Sequence, residues 1–331
     1  MVLMKKHALA AVIAAPAVVL ALAGCQSTTA SEQSDGISIV ASTNVYGDIA
    51  EAIAGDAAEV TSIIDSSAQD PHSYEASAQD RLAVSKADIV IENGGGYDGF
   101  MDALIGDSDP AILNASELSG LMPDAEGHEH ADEHEHGDED SHEHEGEEGH
   151  EGHDHIEGFN EHVWYNFDAM DHLAEHIAEE LSDIDPDNAS TFDDNYSDFS
   201  AQLESLHESL HAIGDTAEGT SVLITEPVPL YLLEDAGLDN KTPEAFSEAV
   251  EEGTDVSASA MQEMLDLVES GDIALLAYNE QTSGPITDEV KDAAEAADVP
   301  VVSFTETLPD GEGYISWMTA NIDALSEVFT A

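Results

Sequence analysis

Apolar positions along the chain follow two rhythms, and each predicts an element. ISIVAST (37–43) is a short β-branched run that predicts a buried first strand. Val45, Ile49 and Ile53 then recur at helical spacing and stop at Gly55, where a helix would close. EVTSIID (59–65), ADIVIENG (87–94) and AILNAS (111–116) predict three more strands. Helical patterns at 77–86 and in DGFMDALIGD (98–107) lie between them. Strands alternating with helices imply a parallel sheet covered on both faces.

Both rhythms lapse over residues 124–157 and return at FNEHVWYNF. Phe167, Met170, Leu173, Ile177 and Leu181 then form one helical stripe. From Pro186 onward, Phe192, Tyr196, Phe199, Leu203, Leu206, Leu210 and Ile213 keep the same spacing, predicting a long strut in mid-chain. The alternation then restarts: strands at 221–227, 273–280 and 300–307, with helices at 229–237, 257–272, 285–299 and 314–329. The predicted fold is α/β, with two lobes, each a mainly parallel sheet flanked by helices, joined by a single long linker helix. The boundaries are 37–185 for the first lobe, 186–214 for the linker helix and 220–331 for the second lobe. No repeat between the lobes is visible in the sequence.

The first 24 residues stand apart. Lys5 and Lys6 precede the apolar run AVIAAPAVVLALA, which ends in small residues before Cys25, the pattern of a cleaved secretory signal. The run is short for a membrane-spanning helix. LAGC resembles a lipobox, which makes Cys25 the expected lipidation site and residues 25–36 a flexible leash holding the body to the outer face of the cell membrane. Cys25 is the chain's only cysteine, so neither disulfides nor thiolate metal ligands remain. The chain carries 73 acidic residues against 6 basic ones, and only 16 of the acids fall in 124–157. Such a surface repels nucleic acid, attracts cations and repels itself unless dense counterions screen it.

Residues 127–155, GHEHADEHEHGDEDSHEHEGEEGHEGHDH, hold nine histidines: His128, His130, His134, His136, His142, His144, His150, His153 and His155. The segment has no apolar periodicity and cannot offset the entropy of ordering, so it predicts a disordered loop with weak, multiple, exchanging metal sites. Ordered chemistry is expected at strand ends, where open α/β sheets bind ligands. His72 follows the second strand, His162 precedes the 167–181 helix, and Glu226 and Glu280 end strands of the second lobe. Alone, each has a plainer reading: loop histidines usually face solvent, and glutamate is common in this chain. His172 and His176 are spaced to chelate but lie opposite the apolar stripe of their helix, which makes a solvated face the simpler reading. His207 and His211 read as rim residues of the strut. No nucleophile elbow or P-loop pattern appears.

DPHSYEASAQDRLAVSKADIVIENGGGYDGF, the histidine loop, EHVWYNF and TEPVPLYLLEDAGL followed by YNEQTSGPIT together resemble the extracytoplasmic receptors of zinc and manganese ABC importers. The resemblance spans about residues 37–330. It implies a monomeric binding protein and not an enzyme, holding one ion between its lobes and passing it to a membrane permease. It further implies His72 and His162 as ligands, although NEHVW departs from the usual Asp-Pro-His-aromatic segment. Glu226 stands at a third position where zinc receptors commonly carry histidine and manganese receptors glutamate. Glu280 is the expected fourth ligand, with Gln281 or a water as the alternative. The histidine loop favours Zn(II), held near-tetrahedrally; the two carboxylates keep Mn(II) as the alternative.

A surface zinc hydrolase would need an oxyanion pocket that nothing in the sequence supplies. A surface metal buffer or adhesin would make the histidine loop itself the working part. The charge excess predicts a fold stabilised by molar salt: thermal melts should rise with KCl, and a higher midpoint at low salt would contradict this.

Overall fold

β1 (Ile37–Thr43) is buried along almost its whole length, as expected of a strand with a neighbour on each side and helices on both faces. In the computed structural model, which describes residues 36–69, 71–106, 108–123, 156 and 158–329, it pairs in parallel with β2 (Ala58–Ile64) and β3 (Ile89–Glu92). β4 (Ala111–Asn114) joins β3, also in parallel. The expected signal segment, Cys25 with residues to 35, and all nine loop histidines lie outside the described residues.

The second sheet contains β5 (Ser221–Ile224), β6 (Asp239–Asn240), β7 (Leu275–Asn279) and β8 (Val301–Phe304). Its strand order is β6-β5-β7-β8, and that of the first is β2-β1-β3-β4. Both sheets are therefore wound alike, second strand outside the first and third and fourth on the other side, although no sequence repeat announces it. Each has its switch point between the first and third strands, where loops diverge and a ligand cleft opens.

Three cores hold this frame. On one face of the first sheet, Val40, Ile64 and Val90 pack with Val84 of α2 (Ala78–Val84) and with Met101 and Leu104 of α3 (Phe100–Ile105). On one face of the second sheet, Leu223 and Leu276 pack with Phe246 of α8 (Glu244–Glu251), Met264 of α9 (Ala258–Glu269) and Val290 of α10 (Pro285–Ala296). The largest core is shared: Ile39 and Ile91 of the first sheet belong to the same contiguous set as Ile224 and Leu275 of the second.

Four helices build that shared core: α1 (Asn44–Ala54), α5 (Phe167–Ile184), α6 (Ala189–Ala217) and the terminal α11 (Tyr314–Phe329). α6 is the predicted strut. It buries Phe192, Phe199, Leu203, Leu206, Leu210 and Ile213, touching α1 and α5 as well as α11 and α7 (Leu230–Asp235). It begins at Ala189, three residues after Pro186, and runs to Ala217.

Some elements escaped the sequence reading. Among them are α8, the two-residue β6, α4 (Ala115–Leu118), which starts at the end of the expected strand 111–116, and 3-10 turns at Gly55–Ala57, Pro71–Ser73 and Val163–Tyr165. Among the described residues no helix is long and apolar enough to cross a membrane.

Candidate metal centre

The loops after the strand ends of the two sheets meet in the cleft, and they bring imidazoles and carboxylates together. His72 lies in the turn Pro71–Ser73, whose Pro71 is buried. The His72 ring stands edge-on to Tyr97, with centroids 4.8 Å apart. Tyr97 follows the Gly94-Gly95-Gly96 bend, in which all three residues have positive φ. At Gly95 a Cβ would meet the Phe159 ring at 2.6 Å and Ser116 Oγ at 2.8 Å, so no other residue fits there. Asp98 ties the bend by accepting from the N–H groups of Asn93 and Gly94 at 2.6 and 2.8 Å.

His162 caps the turn Val163–Tyr165 and is 1% exposed. Its Nδ1 is 2.7 Å from Asn160 Oδ1; the amide oxygen can only accept, so Nδ1–H donates the hydrogen bond and Nε2 keeps the lone pair a metal needs. Asn160 is itself fixed by the second lobe: its amide donates to Pro227 O at 3.0 Å, and the Tyr231 hydroxyl donates to its carbonyl at 2.8 Å. The rings of His72 and His162 are 6.2 Å apart, with Tyr97 and Trp164 walling them.

Glu306, two residues beyond β8 and 1% exposed, completes the cluster. One ligand atom each from His72, His162 and Glu306 lies within 4.8 Å of the other two. Glu306 Oε2 is 3.6 Å from His72 Nε2 and accepts from the Tyr97 hydroxyl at 3.2 Å. Glu226 is buried beside this group. Asn279 Nδ2 bridges the two carboxylates, donating to Glu226 and, at 2.8 Å, to Glu306 Oε1. The Thr282 hydroxyl is 2.6 Å from both oxygens of Glu226.

Of the four residues singled out in the sequence, the structure brings His72 and His162 together and sets Glu226 next to them. Glu280 is exposed, and its backbone N–H donates to Phe304 O at 3.0 Å; the strand-end carboxylate in the cleft is Glu306 instead. The alternative at the fourth position, Gln281, has a different task. Its amide nitrogen donates to Gln69 O at 3.0 Å, in the His72 loop, while its oxygen accepts from the N–H groups of Glu306 and Thr307 at 3.2 Å. One side chain thus ties ligand loops of both lobes.

Two further carboxylates escaped the sequence reading. Ligand atoms of Glu161, His162 and Glu251 also lie within 4.8 Å of one another, and Glu251 Oε1 is 3.8 Å from His162 Nδ1. Glu251 ends α8, an element announced only by Pro243 and the Phe246/Val250 spacing. Burial, and then the charges of Glu161, Glu226 and Glu306, push its carboxyl up from 4.5 to about 9.

That shift fixes a sign. In the metal-free protein Glu251 is protonated at neutral pH, and ionising it costs stability. The cost is absent below its ordinary value of 4.5 and grows as pH rises towards 9. With chelator and fixed salt, thermal melts should fall from pH 6 to pH 9, and Glu251→Gln should flatten that fall. An unchanged pH slope in the variant would contradict the assignment.

The chain is 28% identical over 239 residues to the manganese-binding lipoprotein MntA of Halalkalibacterium halodurans, covering 71% of this chain and 70% of that one. It is 27% identical over 321 residues to the iron ABC transporter substrate-binding lipoprotein MtsA of Streptococcus pyogenes serotype M1, covering 93% and 94%. The periplasmic zinc binding protein TroA from Treponema pallidum superposes with a TM-score of 0.67 at 18% identity, covering 89% of this chain and 99% of that one; such a likeness shows the shared fold. Residues 39–328 match the family described as zinc-uptake complex component A, periplasmic (ZnuA), and the chain belongs to that family of metal-binding ABC-transporter receptors, which are not enzymes.

Proposed function

We propose that this protein captures Mn(II) outside the cell and presents it to the permease of an ABC importer, with His72, His162 and Glu306 as ligands and Glu226 and Glu251 in reach. The observation that carries the reading is the donor set around the cleft: two imidazoles against Glu161, Glu226, Glu251 and Glu306. Carboxylate oxygens are hard donors that suit Mn(II), and imidazole nitrogens are acceptable to it. Among the relatives, MntA is named for manganese. Glu280, expected as a ligand from the sequence, has no place in this reading because its side chain faces solvent.

Zn(II) is the second reading, and one feature favours it: the nine histidines of residues 127–155, soft enough to collect zinc. Zinc also stands above manganese in the Irving–Williams order, so it competes at any such site. The loop is then a collector or sensor that feeds the ordered site. The remaining parts follow from the same receptor role: a lipid anchor on Cys25 at the outer face of the membrane, and action as a monomer. Neither lobe contributes a complete ligand set, so a small relative displacement at the cleft suffices for release.

The loss of the free-ion Mn(II) electron paramagnetic resonance signal on titration into the full mature chain tests this directly, because imidazole-rich loops hold Mn(II) weakly. One tight equivalent is expected, weakened roughly 100-fold or more by His162→Ala and about 10–100-fold by Gln281→Ala, which touches only the ligand loops. Unchanged Mn(II) binding in both variants would overturn the site. A protein purified from metal-replete cells with zinc alone in that site would overturn the manganese reading and leave the receptor reading standing.

A further inference from the structure

A second group of metal-competent side chains lies on the linker helix, outside the site described above. His207 and His211 stand one turn apart on α6, and both face Asp235, the last residue of α7. His207 Nε2 is 2.7 Å from Asp235 Oδ2, and His211 Nε2 is 3.4 Å from Asp235 Oδ1. The two rings are 4.9 Å apart, and one ligand atom from each of the three residues lies within 4.8 Å of the others. Asp168 of α5 stands behind, its Oδ1 3.9 Å from His207 Nδ1. A cavity of about 170 Å³ opens beside His207, lined by Asp168, Asp171 and Glu204 among others, with room for waters and a strongly cation-attracting wall.

A plainer arrangement would be two imidazoles sharing one carboxylate through hydrogen bonds. That arrangement accounts for one oxygen per ring but not for the convergence of a helical i, i+4 histidine pair, a cross-helix carboxylate and an anionic cavity. We propose that His207, His211 and Asp235 form a second divalent-metal site, suited to Zn(II) by its two nitrogens and one oxygen, with water as the remaining ligand. An ion there would clasp α7 to α6. The consequence reaches the cleft, because Tyr231 of the same α7 donates to the carbonyl of Asn160, the residue that orients His162.

Residue-resolved carbethoxylation of the full mature chain, read by mass spectrometry during a Zn(II) titration, separates this site from the histidine loop. His172 and His176 on α5 provide an internal control: they have the same i, i+4 spacing, but the carboxylate His176 pairs with, at 3.2 Å, is Glu179 of its own helix. His207 and His211 should be protected together, at a Zn(II) concentration at least about tenfold below that needed for His172 and His176. Asp235→Asn should raise that concentration by about tenfold or more, while the Mn(II) titration of the cleft, still giving one tight equivalent, certifies the fold. Asp235→Glu, which keeps the carboxylate, should retain the protection in part. The site is overturned if His207 and His211 are protected no earlier than the control pair, or if Asp235→Asn leaves their protection unchanged.

Discussion

Like-charge repulsion inside the cleft is the constraint that the surrounding structure has to meet. Glu161, Glu226 and Glu306 are 2%, 5% and 1% exposed, and together with burial their charges hold the neighbouring Glu251 protonated. Carboxylates at such depth are costly unless they are paired, protonated or bound to a cation. The fold answers with neutral amides and a hydroxyl. Asn279 spans Glu226 and Glu306, Thr282 serves Glu226, and Gln281 holds the backbone of Glu306 against the His72 loop. These groups satisfy oxygens without neutralising them, so a divalent cation remains the group that relieves the repulsion. Ion capture and cleft stability are in this sense one property.

The same arrangement limits how the lobes can move. The sheets do not own separate cores on their facing sides; α1, α5, α6 and α11 pack into one apolar set that includes strands of both. Polar ties add to it. The Tyr165 hydroxyl donates to Thr305 O at 2.8 Å, the Tyr314 hydroxyl to Trp164 O at 2.7 Å, and Asn44 exchanges hydrogen bonds with the backbone of Leu308. A wide hinge would have to break this core. Displacement of a few loops, above all the His72 loop that Gln281 ties to the second lobe through Gln69, separates the candidate ligands at far lower cost.

What could be read in the sequence follows from which forces are local. Strand and helix alternation, the strut and the positions of His72 and His162 were legible, because they depend on periodicity and on a histidine standing at a strand end. The choice between Glu280 and Glu306 was not. Each follows a strand of the second sheet, and only the path of the chain beyond β7, where Gln281 turns inward and Glu280 outward, separates them. Glu251 was hidden for a different reason: in a chain with 73 acidic residues one more glutamate carries no signal, and α8 was not recognised. His207 and His211 were visible as a pair, but their meeting with Asp235 is a contact between helices that no spacing rule reports. The common winding of the two sheets was likewise invisible, since strand order is set by packing and not by residue identity.

Anomalous diffraction at the manganese edge, from crystals of the full chain grown with Mn(II), tests the central claim most directly. The predicted result is that the strongest peak lies between the lobes, within bonding distance of His72, His162 and Glu306. A map with no manganese at that position, or with the ion held by side chains of one lobe alone, would contradict it.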